Sequence, residues 1–111
     1  QLDEISRDEL AARLDRGEVI VVDVRPSAEY EAGHIAGARS IPAKRLAREV
    51  ATLPADVEVV AYCRGPYCVF ADDAVRLLKR RGLKARRLED GYPEWRDAQL
   101  PVETAVNEAT A

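Results

Sequence analysis

One short loop, Cys63-Arg64-Gly65-Pro66-Tyr67-Cys68, carries the residue types from which chemistry could be built. It lies between the apolar, β-branched run Val57-Glu58-Val59-Val60-Ala61-Tyr62 and a stretch of helical period that ends at Gly82. That order reads as strand, loop, helix. A cysteine at the carboxyl end of a buried strand, just before a helix, faces free backbone amides and the positive end of the helix dipole, which favours its thiolate. Gly65 lets the loop bend with positive φ and Pro66 stiffens it without an N–H of its own. The amides of Arg64, Gly65, Tyr67 and Cys68 are then expected to point inward as an anion-binding nest. Arg64 adds a positive charge beside the sulfur, which again favours the thiolate. The bland reading of Cys63 is a small buried residue that closes a core strand.

Four other residues could take part. Asp23 interrupts the apolar run Val19-Ile20-Val21-Val22-Asp23-Val24 near its end, and a carboxylate there needs partners such as loop amides or Arg25. An orienting, structural role for Asp23 is favoured over a catalytic one. His34 is the lone histidine and follows a helix end, a place where imidazole more often braces by hydrogen bonds than exchanges protons. Cys68 falls at the start of the helix, where its side chain either turns into the core or faces Cys63. One histidine and two cysteines in a tight loop are too few for a structural zinc site, and no cofactor is expected.

The elements that must position these residues follow from the hydrophobic pattern. Ser6 and Glu9 make a capping box for a helix that runs to Arg16 and closes at Gly17, with Leu10, Ala11 and Leu14 on its apolar face. The run 19–24 is a buried strand of a parallel sheet. Pro26 stops it, and Ser27 caps a short helix from Ala28 to Ala32. Gly33 to Pro42 reads as a tight connector leading into a short strand. Ala43 to Leu53 is an amphipathic helix with Leu46, Val50 and Leu53 inward. The helix behind the loop should bury Val69, Ala74, Leu77 and Leu78, and Ala85 to Glu89 forms another strand. Trp95 is expected to plug the core from a short helix that starts at Gly91. From Leu100 the period is lost and the chain is expected to be mobile, so the domain is placed at 1–103 and a tail at 104–111.

Strands alternating with helices give a single α/β domain, a mainly parallel sheet with helices on both faces. In such sheets sites lie beyond the carboxyl ends of strands, so one cleft could hold Cys63, Asp23 and Arg25. At 111 residues the chain can bury a core unaided, and its balance of 47% hydrophobic and 33% charged residues is that of a soluble globule. The net charge of −3 argues against a nucleic-acid surface. The basic group Lys79, Arg80, Arg81, Lys84, Arg86 and Arg87 is read as a solvated helix end and the open face of the next strand. Two cysteines five positions apart are no disulfide scaffold, and no signal peptide or apolar span is evident, so a cytoplasmic setting without membrane contact is expected.

Three ordered motifs give the chain a family likeness. Asp23-Val24-Arg25 with Glu29-Tyr30 and Gly33-His34-Ile35-Ala36-Gly37-Ala38, then Tyr62 to Cys68, then Gly91-Tyr92-Pro93-Glu94-Trp95, resemble a single-domain rhodanese over residues 4–102. The resemblance implies that Cys63 takes sulfane sulfur as a persulfide and passes it to a thiophilic acceptor, and that Cys63 to Cys68 is the six-residue cradle. Its partners would be a small sulfur donor (thiosulfate, polysulfide or a low-molecular-weight persulfide) and a thiol or cyanide acceptor. Many members carry arginine at the last loop position, where this chain has Cys68, and that bears on how a doubly charged donor is held.

Two competing functions follow from the same residues. A phosphatase or arsenate reductase needs cysteine, five residues and then arginine around its oxyanion, but Val69 stands at that place. A sensing module would use Cys63 and Cys68 to report reactive sulfur or oxidants to a partner. The chain also contains no methionine, from which an excised domain of a larger protein is expected. Its loop resembles that of rhodanese domains fused behind a winged-helix DNA-binding domain of the arsenic-responsive repressor family. Any DNA contact would then lie upstream, outside this acidic segment.

Overall fold

The apolar runs at 19–24 and 57–62 have no polar face to offer water, so both faces must be covered. In the computed structural model, which describes residues 3–104, they are the neighbouring central strands β2 (Val19–Asp23) and β5 (Glu58–Tyr62) of a parallel sheet. The edges are added by β1 (Glu4–Ile5), β4 (Arg39–Ser40) and β6 (Ala85–Leu88), giving the order β1-β6-β5-β2-β4 with every pair parallel. A separate antiparallel pair joins β3 (His34–Ile35) to β7 (Val102–Glu103).

Helices cover both faces. On one side α3 (Ala43–Glu49), continued by a 3-10 turn at Val50–Thr52, and α4 (Val69–Arg80) bury Leu46, Val50, Ala71, Ala74, Val75 and Leu78 against Val22, Val59, Ala61 and Cys63. On the other side α1 (Arg7–Asp15) and α5 (Tyr92–Asp97) bury Leu10 and Trp95 against Val19, Val21, Val60, Tyr62 and Leu88. The remaining helix, α2 (Ser27–Ala32), buries no residue fully and lies beyond the carboxyl end of β2.

Several local expectations need correction. Val69 is 61% exposed, and Ala71 and Val75 take its place on the buried face of α4, because Cys68 is the N-cap and the inward stripe begins one turn later. Ser27 is already helical and Pro26 precedes α2 without a side-chain cap, its fixed φ presetting the first turn. The capping box of α1 is half formed: the Glu9 amide donates to Ser6 Oγ, while the Glu9 carboxylate accepts from Arg13 and Arg86. The chain from Leu100 to Glu103 is ordered, since Pro101 O accepts from Trp95 Nε1 at 2.9 Å and from the Ala36 amide at 3.1 Å. Residues 105–111 of the expected tail lie outside the described residues. Nor is the basic group simply solvated: Arg86 pairs with Glu58 and Glu9, Lys79 with Asp3, and Arg87 is buried. No helix among the described residues is long and apolar enough to cross a membrane.

Candidate active site

Alternation along β5 decides which way each residue beyond its end faces. Val59 and Ala61 point to the α3–α4 side and Val60 and Tyr62 to the α1–α5 side, so Cys63 continues the first set and lies fully buried under the start of α4. The loop from Cys63 is short because α4 begins at Val69, and Cys68 is its N-cap. The Cys63 and Cys68 sulfurs are bonded to each other, with Cα atoms 6.2 Å apart. The pairing is thus a local bridge across the loop, not a staple across the fold, and of the two orientations open to Cys68 it takes the one toward Cys63. Its remaining surface packs on the core below α4.

The loop is held at both ends and in the middle. Cys63 O accepts from the Tyr92 amide at 3.0 Å, which fixes the strand end to α5. The Cys68 amide donates to Gly65 O at 3.3 Å, so of the expected nest it is spent on the turn itself, whereas those of Arg64, Gly65 and Tyr67 donate to no carbonyl among the described residues. Gly65 O also accepts from Arg87 Nη2 at 3.0 Å, and Arg87 Nη1 pairs with Asp72 in the first turn of α4 at 2.5 Å. Arg87 is only 2% exposed. Gly91 abuts the loop so closely that a Cβ there would collide with Gly65 N and the Arg64 carbonyl carbon. Pro66 and Tyr67 form the exposed tip, with Tyr67 93% exposed.

Asp23 and Arg25 stand on the other side of the sheet. Asp23 pairs in register with Tyr62, and the two share a face, so Tyr62 Oη donates to Asp23 Oδ2 at 2.6 Å and accepts from the Ile35 amide at 3.1 Å. Burial first, then the Asp23 charge, pushes the Tyr62 hydroxyl pKa far above its ordinary value, so this group stays protonated. Asp23 also accepts from the Arg25 amide at 2.9 Å and from Arg25 Nη2 at 2.7 Å. Burial works against the Arg25 charge, but the bonds from Asp23 outweigh it and raise the pKa above the usual arginine value. With Arg25 Nη2 donating to Gly33 O at 2.6 Å and the guanidinium lying over Tyr92, these groups form a buried brace.

The expected single cleft is therefore divided. A cleft of about 470 Å³ is lined by Arg25, Glu29, Gly33, Arg64, Tyr92 and Arg96, but Asp23 and Cys63 are both fully buried. Arg64 faces away from its expected partner: Nη2 meets Glu29 Oε2 at 2.5 Å and Nε meets Oε1 at 2.9 Å. That bidentate bond is the main cause that holds the Glu29 carboxyl below the usual range. His34 is fully buried, stacked on Tyr30, with Nδ1 2.7 Å from Tyr30 O and Nε2 3.5 Å from Glu103, the place of a brace. Among the described residues no group of three or more His, Cys, Asp or Glu could hold a metal ion.

Two residues of the site escaped the sequence reading. Arg87 was hidden in a basic run, and its only signal is that it shares strand parity with buried Ala85. Tyr62 stood at the end of an apolar run and at the head of the second family motif, but neither pointed to its bond with Asp23.

Residues 6–98 match the family model of the rhodanese-like domain. The HTH-type transcriptional regulator Rv0324 of Mycobacterium tuberculosis is 54% identical over 101 residues, covering 91% of this chain and 45% of the regulator. The chain thus spans about half the length of that relative. A sulfurtransferase of Allochromatium vinosum is 29% identical over 102 residues, covering 91% of this chain and 94% of that protein. The crystal structure of a thiosulfate sulfurtransferase from Pseudomonas aeruginosa superposes with a TM-score of 0.83 at 28% identity, over 94% of this chain and 20% of that one. With residues 6–98 matched by that model, the chain belongs to the rhodanese-like domain family.

Proposed function

We propose that the domain is a sulfurtransferase in which Cys63, as a thiolate, attacks the sulfane sulfur of a donor, becomes a persulfide and passes that sulfur to a thiophilic acceptor. The observation that carries this reading is the position of Cys63 in the loop, at the end of a central strand and beneath the N-terminus of a twelve-residue helix. The unspent amides of Arg64, Gly65 and Tyr67 are the groups available to stabilise a persulfide anion. Cys68 in place of arginine, with Arg64 already paired to Glu29, leaves no free cation in the loop for a doubly charged donor. A donor with a single negative charge at its sulfane sulfur, such as a low-molecular-weight persulfide, is accordingly the better donor than thiosulfate. Asp23, Arg25 and Tyr62 act as a support that holds the β2 and β5 ends in register.

The test is intact-mass analysis of the reduced protein after exposure to thiosulfate, polysulfide and glutathione persulfide separately, followed by cyanide. Sampled at early times, the parent should carry one added sulfur atom that cyanide removes as thiocyanate. Cys63→Ala should lose this while keeping its fold, since a small buried side chain replaces another. Transfer to cyanide at the parent rate by that variant overturns the assignment.

A second reading, a reactive-sulfur sensor within a transcriptional regulator, is favoured by the likeness to a regulator and by the bond between Cys63 and Cys68. In it a DNA-binding domain elsewhere in the polypeptide responds to the state of the loop. DNA affinity of the whole protein that is the same with the loop reduced and oxidised would dismiss this reading and leave the sulfurtransferase.

A further inference from the structure

The geometry points to an activity of Cys68: it resolves the Cys63 persulfide, releasing the outer sulfur as hydrosulfide and leaving the Cys63–Cys68 disulfide. The inference rests on the persulfide reading of Cys63 above and assigns the fate of that persulfide when no acceptor is present.

Both ends of the loop are already where the reaction needs them. The 6.2 Å between Cα atoms falls inside the range of about 4.4–6.8 Å that a disulfide spans, so no backbone element has to move to join the sulfurs. Cys63 is anchored through its carbonyl to Tyr92 N, and Cys68 through its amide to Gly65 O, a carbonyl that Arg87 also holds. As N-cap of α4, Cys68 makes no side-chain capping bond, so its sulfur is not engaged with the helix it precedes. The helix dipole favours its thiolate. The loop holds Cys68 against Cys63, which raises its effective concentration over that of an acceptor arriving from solution.

The chemistry balances without an added oxidant. A donor thiosulfonate transfers its sulfane sulfur to the Cys63 thiolate and leaves as sulfinate. The Cys68 thiolate then attacks Cys63 Sγ of the protonated persulfide; the new S–S bond forms as the bond to the outer sulfur breaks, and that sulfur departs with the proton as HS⁻. Two thiols are oxidised to a disulfide and one sulfane sulfur is reduced to sulfide. In the disulfide form Cys63 has no exposed surface and no thiolate, so it accepts no further sulfur until a dithiol reductant reopens the loop by exchange. The loop would thereby act as a sulfane-sulfur reductase that fires once per reductive cycle.

The experiment uses benzenethiosulfonate, a singly charged donor whose sulfinate product reports loading of Cys63 and whose reaction with Cys63 yields no sulfide. Parent, Cys68→Ser and Cys68→Ala proteins are reduced, desalted and mixed anaerobically with one equivalent. Sulfinate, sulfide and intact mass are followed in time. The parent should release sulfinate and then an equal amount of sulfide, ending two hydrogens lighter than the reduced protein. Both Cys68 variants should release sulfinate, stay one sulfur heavier, and hold the persulfide about tenfold longer or more. Equal persulfide lifetimes in parent and variants, with sulfinate formed in all, overturn the role of Cys68 and leave the Cys63 reading intact. Absence of sulfinate from every protein overturns both.

Discussion

A guanidinium beside a thiolate assists it only if no carboxylate lies closer, and Glu29 takes Arg64 with both oxygens. Adjacency in sequence implied the wrong partner, because residue 64 leaves the strand end on the side of α2 while Cys63 turns under α4. The pair is solvent-facing, with Arg64 53% and Glu29 32% exposed at the side chain, so it is worth about 0.2–1 kcal/mol at most. Because the Glu29 pKa is lowered from 4.5, chiefly by the Arg64 hydrogen bond, this contribution is present above the ordinary carboxylate value and lost as pH falls through the lowered one. Glu29→Gln should free the cation and speed capture of anionic donors about two- to fivefold at low salt, a gain that shrinks as ionic strength rises. Capture rates and salt dependence equal to the parent's would mean that the Arg64 charge has no part in donor binding. The place of Cys63 was legible from the sequence because a strand and a helix in succession fix where it must stand, although Gly65 does not take the positive φ expected of it.

Between elements, the link that matters most to the loop is Arg87. From β6 it reaches Gly65 O in the loop and Asp72 in α4, so one side chain sets the spacing of strand, loop and helix. Sequence patterning missed it because Ala85-Arg86-Arg87-Leu88 reads as an edge-like strand, whereas α4 covers the face that carries Arg87. The two-residue strands β1 and β7 escaped for a different reason: no period can be read from two residues, and their pairing is decided by tertiary contacts. The Asp72 side chain is 28% exposed and can be rehydrated, so Arg87→Met should cost about 1–3 kcal/mol, less than breaking a fully buried pair. Arg87→Lys keeps a charge for Asp72 but cannot reach Gly65 O with a second rigid donor. Urea unfolding should then find the lysine variant close to the parent in stability, while its sulfur-transfer kcat stays several-fold low. If lysine restores stability and kcat together, Arg87 is a structural tie and not a positioning residue.

At the scale of the molecule, the fold closes on itself through a contact that composition gave no hint of. The segment after α5 looked unpatterned, yet it lies along β3: Val102 pairs with Ile35, Glu103 with His34, and the Gly37 amide donates to Glu103 Oε1 at 3.0 Å. Pro101 O joins Trp95 and Ala36, so the same short stretch fastens the core plug to the connector that begins at Gly33. That connector is also where Arg25 is held, through Gly33 O, which ties the C-terminal stretch to the far wall of the cleft but not to the Cys63 side of the sheet. A chain ending at Leu100 should therefore lose several hydrogen bonds of about 0.5–1.5 kcal/mol each relative to a chain ending at Thr104. For a domain of this size that is a fall of about 10–20 °C in Tm. Well below its own midpoint the shorter chain should still load Cys63 with sulfur, because β5, the loop and α4 keep every bond described among them. Equal midpoints for the two chains would mean that β7 adds nothing to the fold. Loss of Cys63 loading at a temperature where the shorter chain is folded would mean that the two sides of the sheet are coupled more tightly than their separate contacts imply.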